Sequence, residues 1–259
     1  MRQVALAGLL GFVALALLAW LGVIAGGYEG AVGPEHAPPG ELAWLGTDAL
    51  GRDVLARAIQ GSRVSLVVGG LAALGMVAIG GLLGAAAGMR GGWADRSLVG
   101  LADAFAAVPP LVMLLAASLV IAPGATAAAL AIACTQWTGV FRGVRAEALR
   151  LRSSDHDRAS VAMGAGWWHR VRVHLGPQLR PVLRAALVIA FVYAVKVEAV
   201  LAFFGASERE LPSWGRMLAE SGSELARGIW WPTLAAGVPL ALLVLCAQVL
   251  ADRLEDADA

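Results

Sequence analysis

The stretch LVVGGLAALGMVAIGGLLGAAAGM, residues Leu66–Met89, runs for 24 positions without a charged side chain. A helix needs roughly 20 apolar residues to cross the hydrocarbon core of a bilayer. In lipid every backbone N–H and C=O must find its partner inside the protein, so such a segment is a helix rather than an open strand. Gly69, Gly70, Gly80, Gly81 and Gly84 give it a small-residue face suited to close helix packing.

The same pattern recurs on both sides. Val4–Ile24 holds 21 uncharged residues, and Phe105–Val140 holds 36, too many for one span. Ala122-Pro123-Gly124 divides the longer run into two helices, because proline lacks a donor and glycine tolerates turn dihedrals. Val182–Phe204 and Ile229–Ala251 complete a set of six transmembrane helices. The expected fold is therefore all-α and polytopic, one domain over 1–259. It comprises a first helix (1–26), an external loop with an interfacial helix (27–65), and a five-helix core (66–259) with a cytoplasmic loop at 141–180. Composition agrees: 59% of residues are hydrophobic and 15% charged, where soluble domains carry about 25% charged. The runs are continuous rather than alternating, which disfavours a β-barrel. Arg2 and Ala25-Gly26-Gly27 imitate a signal peptide, but the apolar core exceeds the roughly 7–15 residues of such a segment and reads as an uncleaved anchor. Cys134 and Cys246 lie in apolar runs as small buried hydrophobes, with no disulfide or metal-ligand spacing.

Arginine placement gives the orientation. With six helices one side receives thirteen arginines, nine of them between Arg142 and Arg184, and the other receives six, offset by nine acids. The thirteen-arginine side is expected to be the cytoplasm, with both termini there.

Three loops stand out. In the first, Thr47 or Asp48 can cap a short interfacial helix with Val54, Leu55, Ala58 and Ile59 on one face, Arg52, Arg57 and Gln60 toward headgroups or water, and Gly61 as its stop. In the second, a helix over Ala159–Met163 meets a turn at Gly164-Ala165-Gly166. Trp167-Trp168 then opens a segment that Pro177 ends. Such a helix-turn-helix on the membrane face suits a groove in a soluble partner; equally, a basic loop fixes topology and binds anionic lipid headgroups. The third loop holds Leu211-Pro212-Ser213-Trp214-Gly215, with Glu220, Glu224, Arg216 and Arg227 at helical spacing as exposed pairs of little energetic weight. Trp214, Trp230 and Trp231 suit an outer aromatic belt.

Within these loops, Leu45-Gly46-Thr47-Asp48-Ala49-Leu50-Gly51-Arg52-Asp53-Val54-Leu55-Ala56-Arg57 and Gly61-Ser62-Arg63-Val64-Ser65-Leu66 resemble the "C" permease of dipeptide, oligopeptide and nickel importers. Gly91-Gly92-Trp93-Ala94-Asp95-Arg96, Arg158-Ala159-Ser160 through Gly164 to Pro177, Glu198-Ala199 with Phe203-Phe204-Gly205, and Pro212-Ser213-Trp214-Gly215 continue the resemblance in order. It implies a type I ABC importer permease in the bacterial inner membrane, paired with a paralogous permease subunit. Two ATPase subunits would carry ATP and Mg and dock on the inner loop, an EAA-like coupling helix, through Asp157, Arg158, Ala159, Ser160, Gly164, Ala165 and Pro177. An extracytoplasmic solute-binding protein would dock near Asp48, Arg52, Asp53 and Trp214. The cargo would be peptides or similar small solutes, nickel among them. The chain itself carries no phosphate-cradling Gly-x-x-x-x-Gly-Lys-[Ser/Thr] motif, and no catalytic residue, cofactor, metal or nucleic-acid partner is expected of it, membrane lipid apart. Arg158 departs from a common family glutamate, and Gly176-Pro177 from Leu-Pro.

Lys196 and Glu198 are the ionisable pair inside a span. Such groups usually face a bundle interior or cavity, so both are candidates for the translocation pathway, with snorkelling near the outer end as the alternative. Two residues apart on a helix, they do not face each other. Among the histidines, His169 and His174 are badly spaced for shared metal binding, and Asp155-His156-Asp157 reads as a solvated turn. An ion-gradient carrier would show internal repeats and several midplane charges, which are not evident. A non-transporting scaffold would not need the ordered loop motifs.

Overall fold

The computed structural model describes residues 2–120, 124–166, 169–206 and 211–258. Among the described residues ten α-helices appear in chain order: α1 (Arg2–Trp20), α2 (Val54–Arg90), α3 (Gly92–Ala107), α4 (Pro110–Val120), α5 (Ala125–Gln136), α6 (Thr138–Arg152), α7 (Asp155–Ala162), α8 (Gly176–Phe203), α9 (Trp214–Leu225) and α10 (Trp231–Asp258).

α2 is the spine. Its 37 residues span about 55 Å, more than the roughly 30 Å hydrocarbon core, so one end projects. The projecting end is what the sequence presents as a separate interfacial helix. No break separates it from the span: Gly61 lies inside α2, because the Trp214 indole packs on it. A Cβ there would meet Trp214 Cδ1 at 2.9 Å. The cap is Asp53 rather than Thr47 or Asp48, its carboxylate accepting from the Leu55 and Ala56 N–H groups at 2.8 and 3.2 Å. Arg57 and Gln60 turn inward and are buried, not directed at headgroups.

The small-residue face of α2 brings α6 to backbone contact. A Cβ at Gly80 would lie 2.6 Å from the Trp137 carbonyl, and one at Gly84 2.6 Å from that of Phe141. On another side Gly69 admits Val195 and Phe191 of α8. α2 is thus held between α6 and α8, around a core that includes Val68, Ala72, Ile132, Val144, Ala194 and Leu201. The Phe105, Trp137 and Phe141 rings stack edge to face at 5.5 and 5.6 Å and, with a two-pronged Arg145–Asp95 pair at 2.5 and 2.7 Å, fasten α3 to α6.

The region 105–140 differs from two plain spans. α3 and α4 meet at an 88° bend, where Pro109 cannot continue the helix. α5 and α6 follow each other with only Trp137 between them. The expected turn at Ala122-Pro123 lies outside the described residues. By length and composition α1, α2, α8 and α10 are long and apolar enough to cross a membrane, and the bent α3–α4 pair makes a fifth unit; α5 is apolar but has 12 residues. Among the described residues that makes four such helices, or five units with the bent pair counted as one. Leucines at 10, 17, 74, 82, 130, 242 and 245 are exposed, as lipid-facing helices require. Cys134 is exposed and Cys246 half-buried, so neither is the fully buried hydrophobe expected.

Candidate functional site

α7 follows α6 after a turn at Ser153-Ser154. The Ser154 hydroxyl accepts from the Asp157 N–H at 3.3 Å, so the helix starts at Asp155 rather than Ala159, and acids at 155 and 157 suit its positive end. It ends at Ala162, and Gly164 two residues on turns the chain away with a φ of +81°, a left-handed conformation that glycine adopts freely. The burial pattern of α7 is unusual in that its two buried residues are both polar. Asp157 and Ser160 are buried, while Ala159, Val161 and Ala162 face out together with Asp155, His156 and Arg158, and Met163, just beyond, is 82% exposed.

Asp157 receives both arms of the Arg170 guanidinium, Nε at 2.8 Å and Nη2 closer still. That hydrogen bonding pushes the Arg170 pKa up despite partial burial. Asp157 and Ser160, expected to meet a partner, therefore face their own chain. Arg158, Ala159 and Gly164 are exposed, and Ala165 is half-buried. Trp167 and Trp168 lie outside the described residues. Pro177 does not end a segment: Arg170–Leu175 winds in wider π-helical turns directly into α8, with Pro177 in its first turn, where a missing N–H is tolerated.

Between α6 and α8 a cleft of about 940 Å³ opens, lined by Gln136, Gly139, Gly143, Pro181, Ala185 and Tyr193 among others. Tyr193 donates to Gln136 Oε1 at 2.8 Å, and Glu147 and Arg150 pair at the polar end, 2.5 Å apart. The sequence reading missed this cleft. Its signal was Gly139 and Gly143, one turn apart on a helix whose glycines need not fit a neighbour. Glu198 does not line it. That residue is fully buried in the seam between α8 and α2, where the Ser65 hydroxyl donates to its carboxylate at 3.1 Å. Lys196 is exposed on a different face.

The opposite end carries a cap. The loop ahead of α2 is stitched by Thr47, whose hydroxyl accepts from Ala37 N–H at 2.7 Å and donates to the Pro34 carbonyl at 2.6 Å; Trp231 donates its indole N–H to the Thr47 carbonyl. Asp48 is buried and accepts from the N–H groups of Leu50 and Arg52 and from the Arg52 and Arg57 guanidiniums, at 2.7 and 2.5 Å. Arg57 continues to Glu220 of α9 at 2.7 Å, where Arg216 also pairs at 2.8 Å. Glu224 accepts from Ala49 N–H at 3.2 Å and lies 3.7 Å from His36 Nδ1. Burial raises the Asp48 pKa, but the N–H donors and two guanidiniums outweigh it and hold the carboxyl below its usual range; burial at Glu220 is likewise outweighed by Arg57 and Arg216. At Glu224 burial wins and pushes the carboxyl up.

Trp214, expected on a docking surface or in an aromatic belt, is 1% exposed. It wedges between α1 and α2, edge-on to Phe12 at 5.9 Å and donating to the Ala58 carbonyl at 2.8 Å. Asp48, Arg52 and Asp53 are engaged in holding the cap to α2 and α9. The apolar side chains this cap exposes include Trp44 and Leu50.

Residues 80–257 match the family model described as binding-protein-dependent transport system inner membrane component. The chain belongs to that family. The dipeptide transport system permease protein DppC of Bacillus subtilis is 30% identical to this inner membrane component, over 86% of the present chain and 70% of DppC. The oligopeptide transport system permease protein OppC of the same organism is 30% identical over 85% and 72%. A solved chain from the MetNI methionine ABC transporter, in an inward-facing conformation, aligns with a TM-score of 0.61 at 20% identity, covering 78% of this chain and 96% of that one. This likeness fixes the fold. In the present inner membrane component the matched region takes in α7 and most of the cleft and leaves out α1 and the cap.

Proposed function

We propose that this inner membrane component is the permease subunit of an ATP-driven importer of peptides or comparable small solutes, with α7 as the element that meets its ATPase. The observation that carries the reading is the outward face of α7, where Ala159, Val161, Ala162 and Met163 are exposed beside Asp155, His156 and Arg158 while Asp157 is turned inward. Apolar side chains bordered by polar ones suit a groove in another protein. The relatives' names supply the peptide class. The nine arginines between Arg142 and Arg184 favour a cytoplasmic α7. A second, paralogous permease would complete the pathway, two ATPase subunits would supply nucleotide chemistry, and an external binding protein would deliver the solute.

The test is co-purification of an ATPase with this subunit from the native membranes. The wild-type subunit is expected to retain it in mild detergent, and Met163→Glu to lose it while keeping its monodisperse profile. Retention by Met163→Glu, or absence of an ATPase from the wild type, overturns the reading. An ion-gradient carrier would place ionisable groups along its cavity; here Glu147 and Arg150 are paired at the end of the cleft and Glu198 is off it.

A further inference from the structure

We propose that Asp157–Arg170 is the positioning pair that ties α7 to the root of α8, so that a displacement of α7 reaches the wall of the cleft. The inference rests on the reading of α7 as the ATPase contact and adds how that contact is transmitted.

An eight-residue helix is not stable in isolation, and α7 has no buried aliphatic anchor. Its buried residues are Asp157 and Ser160. What holds it is polar, and the Arg170 fork on Asp157 is the part with fixed direction. Two parallel N–H···O bonds set the angle between the groups as well as their separation. Arg170 is also the first residue of the π-helical segment that runs into α8. Turns of this kind break the regular hydrogen-bond ladder and are frequent at functional positions. Along α8, Pro181, Ala185 and Tyr193 line the cleft, while Ala194, Val195 and Leu201 are buried in the protein core. A continuous chain of contacts therefore leads from the outward face of α7, through Asp157 and Arg170, to one wall of the cleft.

The experiment uses the whole complex with its ATPases and partner permease in proteoliposomes. A parent carries Cys134→Ser and Cys246→Ser with Gly143→Cys as a reporter; a Cβ at 143 meets open space. The readout is the change in labelling rate by a membrane-impermeant maleimide when ATP and vanadate are added. Arg170→Ala is expected to shrink that change about two- to thirty-fold, the range for residues on a coupling route, with the ATPase still bound. Arg170→Lys, which keeps charge and fold but loses the fork, is expected to shrink it as well. The reversed pair Asp157→Arg with Arg170→Asp should recover most of the response. A parental response in Arg170→Lys, or a reversed pair no better than the single variants, overturns the proposal. A parent without bound ATPase overturns instead the reading on which it rests.

Discussion

Asp48 is the residue on which the cap depends. Its carboxylate is buried and joins two guanidiniums and two backbone N–H groups. Removing that carboxylate leaves Arg57 with Glu220 as its remaining partner and strips the Leu50 and Arg52 N–H groups of their acceptor, at a cost of about 1–3 kcal/mol. Asp48→Ala is therefore expected to lower unfolding stability in detergent by about that amount, read by denaturant titration, and a change below about 0.5 kcal/mol would refute it. The pH dependence has a definite sign. Asp48 and Glu220 have depressed pKa values in the fold, so their contribution is full above the ordinary carboxylate range near about pH 4 and is lost as pH falls through the depressed values. Glu224 is raised, so it opposes stability as pH rises through its shifted value. Glu224→Gln should therefore leave stability at pH 7 equal or higher and make the loss on acidification larger, as thermal melts at pH 7 and pH 4 would record. None of this was legible in the loop sequence. Asp48 and Arg52 were visible as a motif, but Arg57 and Glu220 meet only after the chain has folded back across 163 positions, and that pairing helps turn Arg57 from an expected surface charge into a buried one.

Among the elements, α2 was the most legible and yet misjudged at its start. Its apolar run and its glycine face follow from composition and spacing alone, and Gly80 and Gly84 do admit α6. Gly61 looked like a stop because glycine after a short amphipathic stretch commonly is one. Its actual reason is Trp214, far along the chain. The two readings predict different outcomes for added bulk. Gly61→Ala should destabilise by about 1–3 kcal/mol through overpacking against the indole. Gly70→Ala, with open space at its Cβ, should be neutral or stabilise by up to about 1 kcal/mol through helix propensity. Paired thermal melts in one detergent decide the matter; equal shifts would mean that Trp214 does not seat on Gly61. α7 was legible as a helix near Gly164, but its orientation was not, since a short helix with two acids and two arginines nearby gives no hydrophobic stripe to point with.

At the scale of the whole molecule the cleft between α6 and α8 allows stability and transport to be tested apart. Most glycines of α2 are close-packed, whereas Gly139 and Gly143 of α6 have nothing within 4 Å of where a Cβ would stand. Filling that space removes no native contact, and helix propensity favours a larger residue at both positions. Gly139→Leu with Gly143→Leu should therefore leave the isolated subunit at least as stable, within about 0.5 kcal/mol for sites outside the packed core. In the assembled importer the same leucines would occupy the route that the cleft offers a solute. Uptake of a labelled peptide mixture by proteoliposomes should fall by about tenfold or more, the counterpart of roughly 1.4 kcal/mol added to the barrier, while the ATPase stays bound. If uptake is unchanged, the cleft is lipid-filled or closed by a neighbouring subunit, and the solute passes elsewhere. If melting falls together with uptake, the glycines serve packing with that neighbour. Only loss of uptake at constant stability identifies the space between α6 and α8 as the path.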